Sequence, residues 1–169
     1  MNIIANVSKN WAIGKNGSLL FHISADMKFF KEHTSGNIVV MGRKTLDSLP
    51  GGRPLPNRTN IVITRNEEFS RSNVMVCHSM DELRSLLSGY ESGSIYVLGG
   101  ESLYRDLLPL CDTAYITKVD KDVPDADAFM PDLDNDPGWA IDEVSERFES
   151  NGLEYIFVTY KRNRVDGGR

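Results

Sequence analysis

A glycine, two cations and a hydroxyl follow one another directly after an apolar run in this chain. The run, residues 38–41, predicts a strand buried on both faces, and Gly42-Arg43-Lys44-Thr45 comes next. Two positive charges, a hydroxyl group and the free N–H groups at a helix start can bind a phosphate. An ordinary strand-to-helix turn with solvated cations explains the same residues, so this stretch alone leaves both interpretations open.

A second apolar run, residues 95–98, ends in Gly99-Gly100, and a predicted helix over residues 101–108 follows and stops at Pro109. Paired glycines at a strand end let the phosphates of a ligand approach the backbone closely. Ligands of open α/β sheets bind beyond the carboxyl ends of the strands, so two such ends favour a nucleotide site. Neither stretch matches the P-loop or the Gly-x-Gly-x-x-Gly fingerprint.

Asp26 is the candidate acid of the chain. Ser24 is predicted to cap a helix over residues 25–34, on which Met27 and Phe30 share one face and Asp26 lies at its edge. In an apolar pocket, desolvation would raise the pKa of this carboxyl group. The alternative is that Asp26 only complements the helix dipole in the first turn, and the helix by itself favours that alternative.

The elements that would position these residues alternate between strands and helices. Residues 3–7 predict a central first strand, and the connection over residues 8–23 turns at Gly14 and Asn16-Gly17. The apolar residues of that connection indicate either a lid over a site or a loop packed permanently on the core, with equal weight. They are Trp11, Ile13, Leu19, Leu20 and Phe21.

The pattern of predicted elements changes towards the carboxyl end of the chain. Further strands are predicted at residues 60–64, 74–76 and 114–119, a helix capped by Ser79 lies between them, and residues 120–136 read as an exposed acidic loop. Strand-like runs at 139–148 and 153–162 flank Asn151-Gly152, a strong hairpin signal. These patterns predict a single α/β domain, residues 1–163, with a polar tail, residues 164–169.

Composition limits the classes of function. The chain has 169 residues and a net charge of -5, which argues against a role on nucleic acid or a membrane surface. The amino-terminal residues do not resemble a signal peptide, so the cytoplasm is the expected location. Cys77 and Cys111 are expected to be free thiols. No metal site is expected, because Pro137 stands where a calcium loop over residues 132–143 would need glycine.

Taken together, these motifs resemble bacterial dihydrofolate reductase from Ile3 to about Lys161. The residues that carry the resemblance are Ile13-Gly14, Asp26 with Phe30 and Thr34, Met41-Gly42-Arg43-Lys44-Thr45, Arg53-Pro54-Leu55-Pro56-Asn57-Arg58, Leu98-Gly99-Gly100 with Tyr104, and Thr117. The resemblance implies a mostly parallel, eight-stranded sheet flanked by helices, with an antiparallel strand at the carboxyl end. It also implies hydride transfer from NADPH to dihydrofolate, which gives tetrahydrofolate.

By this resemblance, Asp26 holds the pterin ring and favours protonation of its imine, and Thr117 supports Asp26. Leu20 and Phe21 of the mobile loop border the reacting groups. The implied substrate-binding residues are Ile4, Ala5, Met27, Phe30, Leu49, Leu55, Arg58, Leu98 and Tyr104. Among them, Arg58 would grip the glutamate tail through a bidentate contact.

The resemblance also implies a binding site for NADPH, and a cis peptide bond between Gly99 and Gly100. The implied cofactor-binding residues are Ala5, Ile13, Leu19, Gly42, Arg43, Lys44, Thr45, Thr64, Arg65, His78, Gly99, Gly100, Glu101, Ser102 and Tyr104. Of these, Thr64 and Arg65, with His78, would face the phosphate that distinguishes NADPH from NADH.

Two departures from the family pattern stand out. Many members have Pro-Trp in the mobile loop, whereas this chain has Leu20-Phe21 and so lacks an indole N–H that can anchor a water near the substrate. Glu101 is an acid beside the expected cofactor phosphates, and at a helix start it is expected to point away.

Two alternative functions stay open at this point. One is the related NADPH-dependent pyrimidine reductase of riboflavin synthesis, against which Asp26 and Arg58 argue because they suit a pterin and a glutamate tail. The other is a nucleotide-binding module without catalysis. The expected partners are small molecules, without nucleic acid or membrane, and the expected state is a monomer.

Overall fold

The computed structural model describes residues 1–163, and the polar tail predicted for residues 164–169 lies outside them. In chain order the strands are β1 (Asn2–Val7), β2 (Ala12–Lys15), β3 (Ser18–Leu19), β4 (Ile38–Gly42), β5 (Thr59–Ile63), β6 (Val74–Cys77), β7 (Ile95–Gly99), β8 (Thr113–Val119), β9 (Ala128–Phe129), β10 (Trp139–Val144), β11 (Phe148–Ser150) and β12 (Leu153–Arg162). The helices are α1 (Ser24–Thr34), α2 (Arg43–Ser48), α3 (Met80–Leu87) and α4 (Glu101–Leu107). No helix within residues 1–163 is long and apolar enough to cross a lipid bilayer.

The main sheet confirms the predicted fold class. Its strand order is β10-β12-β8-β1-β7-β4-β5-β6, and β11 pairs with β12 outside that order. The pairs between β8 and β6 are all parallel, whereas β12 runs antiparallel to β8, β10 and β11. The predicted turn at Asn151-Gly152 joins β11 to β12, and both of its residues have positive φ.

Apolar layers cover both faces of this sheet, because successive side chains of a strand point to opposite sides. One layer includes Ile3, Val40, Val97, Leu83 of α3 and Leu107 of α4. The other includes Ile4, Val39, Met41, Phe30 of α1 and Leu46 of α2. Helices on both sides explain why the central strands are near-continuous apolar runs rather than alternating ones.

The sheet opens between β1 and β7. Their ladder consists of Asn2↔Tyr96 and Ile3↔Val97, whereas β1 stays paired with β8 as far as Val7↔Lys118. The carboxyl-terminal half of β1 is therefore bonded to β8 alone in the ladder. Ligands of parallel sheets bind where neighbouring strands part at their carboxyl ends, so this opening is the expected position of a site.

Two segments that were predicted to be loops contain strands instead. Residues 8–23 carry β2 and β3, residues 120–136 carry β9, and the three strands form a separate sheet in the order β3-β2-β9. The acidic segment is also not wholly exposed, because Met130 and Leu133 are buried in the core. The two loops satisfy each other's backbone groups, a pairing between distant segments that local composition does not reveal.

The start of α1 also differs from the prediction. Ile23, in an extended conformation, precedes the helix, and no side chain caps it, so Ser24 is a helical residue rather than the cap. The equivalent prediction for α3 is confirmed, because the Ser79 side chain accepts a hydrogen bond from the Glu82 N–H at 3.1 Å.

Candidate active site

The two glycine-containing strand ends meet at one edge of the sheet. A Cβ atom added to Gly42 would lie 3.9 Å from the Gly99 carbonyl oxygen and 4.0 Å from the Gly100 nitrogen. A Cβ atom on Gly100 would lie 3.8 Å from Thr45 Oγ1. Two stretches far apart in the chain therefore form one surface. Its charged and polar neighbours Arg43, Lys44 and Ser102 are exposed, and Glu101 is half-buried.

The Tyr104 side chain packs directly against Gly99 of this surface. The Gly99–Gly100 peptide bond is cis, as expected, and Gly99 has a φ of +106°. A side chain at Gly99 would meet the Tyr104 ring at 2.8 Å, so only glycine fits there. The buried Tyr104 hydroxyl donates a hydrogen bond to the Ile4 carbonyl oxygen at 2.9 Å across the opening between β1 and β7. Burial raises the pKa of Tyr104, which keeps its hydroxyl a proton donor.

Asp26 is half-buried beside strands β1 and β8. The Thr117 hydroxyl donates to its Oδ1 at 2.5 Å, and the Asn6 side-chain amide donates to its Oδ2 at 2.8 Å. Burial raises the pKa of Asp26, while the hydrogen bonds from Thr117 and Asn6 partly oppose that shift. Desolvation is thus the largest cause of the raised pKa of this carboxyl group.

The apolar residues expected near Asp26 differ in their exposure. Phe30, Leu49, Leu55 and Leu98 all pack in the same cluster, together with the buried Ile4. Met27, in contrast, is 58% exposed. Phe30, Leu49, Leu55 and Leu98 thus belong to one apolar layer of the sheet, whereas the Met27 side chain is mainly exposed.

Arg58 lies at the other end of α1 from Asp26. Its Nε donates to Thr34 Oγ1 at 3.1 Å, its Nη1 donates to the Pro56 carbonyl oxygen at 3.0 Å, and its guanidinium lies 5.9 Å from the centre of the Phe30 ring. Thr34 itself is anchored by a hydrogen bond to the Phe30 carbonyl oxygen. The Asp26 carboxylate and the Arg58 guanidinium therefore lie at opposite ends of α1.

The residues expected at the additional cofactor phosphate lie together at the carboxyl ends of β5 and β6. The Nδ1 atom of His78 is 2.9 Å from the Thr64 carbonyl oxygen, and the Thr64 N–H donates to the Cys77 carbonyl oxygen. Arg65 follows Thr64 and is exposed. Elsewhere in the expected cofactor set, Ala5 and Ile13 are half-buried against the core layer that contains Ile3.

The β2–β3 hairpin carries the loop residues of the prediction. Leu19 is 56% exposed, while Phe21 packs beside Ile23, Val119 and Tyr155. Leu20 and Phe21 line a cavity of about 480 Å³ between the hairpin and residues 121–125, and Asp26 is not part of its lining.

The Glu101 side chain has a hydrogen-bond partner within the protein. Its Oε1 accepts a hydrogen bond from the Phe129 N–H at 2.8 Å, which ties α4 to β9. Because β9 also pairs with β2, this contact links α4 to the small sheet.

Asn6 is a site residue that the sequence analysis did not identify. It lies opposite Thr117 in the β1–β8 ladder, and both side chains reach Asp26. A signal was present, since an amide in an apolar central strand needs a polar partner. Its partner is on α1, and only the packing of that helix on the sheet reveals it.

Comparison with known proteins agrees with this geometry. The family model described as dihydrofolate reductase matches residues 1–162. The dihydrofolate reductase of Neisseria gonorrhoeae is 37% identical over 160 residues, which cover 95% of this chain and 96% of that protein. That of Bacillus subtilis is 35% identical over 171 residues, with 99% and 98% covered.

A solved structure is similar over almost the whole chain. It is described as dihydrofolate reductase from Enterococcus faecalis complexed with NADP(H) and RAB-propyl, and it has a TM-score of 0.86, 34% sequence identity and 96% coverage of both chains. The matched family model, the relatives and the shared fold lead to one conclusion: the chain belongs to the dihydrofolate reductase family.

Proposed function

We propose that this protein reduces 7,8-dihydrofolate to 5,6,7,8-tetrahydrofolate with NADPH. The observation that carries the proposal is the Asp26 carboxylate of a dihydrofolate reductase fold, which accepts hydrogen bonds from Thr117 and from Asn6 in the half of β1 that no longer pairs with β7. Neither alternative has support from a specific observation. A pyrimidine reductase would have no use for the arrangement of Asp26 and Arg58 along α1.

The substrate would lie along α1, with its pterin ring at Asp26 and its glutamate tail at Arg58. A carboxylate has two oxygens with two lone pairs each, and Asp26 uses one acceptor position on each oxygen for Thr117 and Asn6. One position per oxygen stays available for paired donors of the pterin ring. Phe30, Leu49 and Leu55 would contact the apolar middle of the substrate.

Asp26 would favour protonation of the pterin imine before reduction. Burial raises the pKa of this group and so brings it closer to neutral pH, where an acid transfers protons most effectively. Thr117 would keep the carboxylate oriented. Leu20 and Phe21 would exclude water when the hairpin covers the ring, although neither side chain can donate a hydrogen bond to a water.

The residues at the sheet edge fit the cofactor. The strand ends at Gly42 and at Gly99-Gly100 lie side by side, and the Tyr104 ring leaves no room for a side chain at Gly99. Arg43 and Lys44 beside them are exposed cations that can bind phosphate. Thr64, Arg65 and His78 would hold the additional phosphate, and Thr45, Ser102 and Tyr104 would complete the site. When bound, NADPH supplies the hydride.

The finer properties belong to the same proposal. We infer that residues 1–163 act as one domain, that the protein works as a monomer in the cytoplasm, and that its partners are the small-molecule substrate and cofactor. The net charge of -5 supports the absence of a nucleic-acid role.

The direct test is the loss of NADPH absorbance when dihydrofolate is added, with NADH as the matched control. We expect rapid loss with NADPH and a rate about 10–100-fold lower with NADH, because each charge-assisted phosphate contact contributes roughly 1.5–3 kcal/mol. Binding of NADPH without turnover would contradict the proposal and favour a binding module.

Replacing Asp26 with asparagine tests the assigned acid. We expect Asp26→Asn to lower the hydride-transfer rate at neutral pH by about 10²-fold or more, the usual contribution of general acid catalysis. Lower pH should partly restore the rate, because solvent then protonates the imine. Single-turnover kinetics across pH measure this, and a variant as fast as the wild type at every pH would exclude the role.

A further inference from the structure

The Asp26 carboxylate has a second protein donor besides Thr117. The Asn6 amide nitrogen lies 2.8 Å from Oδ2, the oxygen that Thr117 does not contact. Asn6 and Thr117 are paired residues of the adjacent parallel strands β1 and β8. The two donors therefore stand side by side on one rigid platform, each directed at a different oxygen of the same group.

The oxygen atom of the Asn6 amide shows which contact the orientation of this side chain favours. Asn6 Oδ1 is buried and has no hydrogen-bond partner among residues 1–163. A buried amide oxygen without a partner costs free energy, whereas a hydrogen bond to an ionised carboxylate is stronger than one to a neutral group. The observed orientation favours the contact with Asp26 over the satisfaction of Oδ1.

The ionisation of the Asp26 carboxyl group is not explained by a salt bridge among residues 1–163. Within the described part of the chain, the salt bridges of α1 consist of the Lys28–Glu32 pair on its exposed side, and none involves Asp26. The groups that face Asp26 from the neighbouring strands are the Asn6 amide of β1 and the Thr117 hydroxyl of β8. Both are uncharged hydrogen-bond donors, and each stabilises the ionised form of Asp26 directly.

We propose that Asn6 is a positioning residue that holds Asp26 Oδ2 and stabilises the ionised carboxylate, in partnership with Thr117. This inference rests on the proposed function for its consequence in the reaction, because Asn6 acts through Asp26. In the reaction, the amide fixes the plane of the carboxylate so that each oxygen keeps an acceptor position for the pterin. It also lowers the pH at which Asp26 takes up a proton.

The test removes the amide in two ways. Asn6→Ala deletes the side chain, and Asn6→Leu keeps its approximate shape without a donor. We expect both variants to raise the pKa of Asp26 by about one unit, since a hydrogen bond to a charged group contributes roughly as much free energy as one pKa unit. Carboxyl ¹³C NMR titration of the protein without ligands measures this, and either variant suffices if the other does not fold.

Asn2→Ala is the matched control. Asn2 lies on the same strand, and its amide donates to the Gly93 and Ile95 carbonyl oxygens, away from Asp26. We expect this variant to leave the pKa of Asp26 unchanged. An unchanged pKa of Asp26 in the folded Asn6 variants would overturn the inference.

Kinetics then separate this inference from the proposed function. In the Asn6 variants, the fall in hydride-transfer rate with rising pH should move to higher pH by the same amount as the pKa of Asp26. If the pKa of Asp26 moves in the NMR titration and the pH profile of the rate does not, the role of Asn6 toward the carboxylate stands. The acid role proposed for Asp26 would then fail.

Discussion

At the scale of single residues, the site depends on polar groups that the sheet partly removes from water. Asp26 is desolvated by its surroundings, yet two uncharged donors limit the rise of its pKa. Arg58 is half-buried against Phe30, with one nitrogen fixed by Thr34. Each ionic group is thus held in place before a ligand arrives, which lowers the entropic cost of binding.

The Arg58 fork gives a prediction at this scale. Arg58→Lys keeps the charge and removes the planar pair of donors, so we expect KM for dihydrofolate to rise about tenfold or more with little change in kcat. A dihydropterin substrate without the glutamate tail should show equal KM values for wild type and variant.

Arg53→Lys provides the matched control for that experiment. Arg53 lies in the same loop and is exposed, so the same substitution there should leave KM unchanged. A similar rise of KM in both variants would mean that the loop conformation, rather than recognition of the tail, was altered.

At the scale of elements, the small β3-β2-β9 sheet connects the hairpin to the rest of the site. The Asn16 N–H donates to Asp127 Oδ2 at 2.8 Å, and the Asp127 N–H donates to the Gly14 carbonyl oxygen. Glu101 then ties β9 to α4 through Phe129. The β2–β3 hairpin and the start of α4 are therefore connected through one short chain of hydrogen bonds.

Loosening this connection should affect the hairpin first. We expect Asp127→Ala to increase amide hydrogen exchange over residues 12–19 about fivefold, the effect of losing roughly 1 kcal/mol of local stability. Asp127→Asn retains an acceptor oxygen and should exchange nearly as slowly as the wild type. Equal exchange in wild type and Asp127→Ala, measured by mass spectrometry, would show that the contact does not hold the hairpin.

At the scale of the whole molecule, the site lies where strands β1 and β7 are no longer hydrogen-bonded to each other. The β1–β7 ladder ends after Ile3, and the Ile4 carbonyl oxygen just beyond it accepts a hydrogen bond from the Tyr104 hydroxyl. Apolar layers on both faces of the sheet stabilise the fold around this gap. A desolvated acid in that position favours function at some expense of stability.

The pH dependence of the melting temperature should reveal this loss of stability. Because burial raises the folded-state pKa of Asp26 above its unfolded value, ionisation of Asp26 destabilises the fold as pH rises through that window and at all higher pH. We therefore expect Asp26→Asn to raise Tm at pH 7, and the gain to vanish below about pH 3.9, where the unfolded chain is also protonated.

Thermal denaturation at both pH values measures this, with Asp142→Asn as a control on the exposed strand β10, where Tm should not change. A gain that is the same at pH 7 and at low pH would point to packing rather than ionisation.

The sequence by itself determined the order and type of most elements, because buried parallel strands are apolar runs and their ends carry glycine. It also indicated Asp26, Arg58 and the Gly42 and Gly99 strand ends through their residue types and family spacing. Three features needed tertiary structure: the pairing of β2 with β9, the contact of Glu101 with Phe129, and the contact of Asn6 with Asp26. Each joins residues distant in the chain, and such partners are set by how helices and loops pack on the sheet rather than by local pattern.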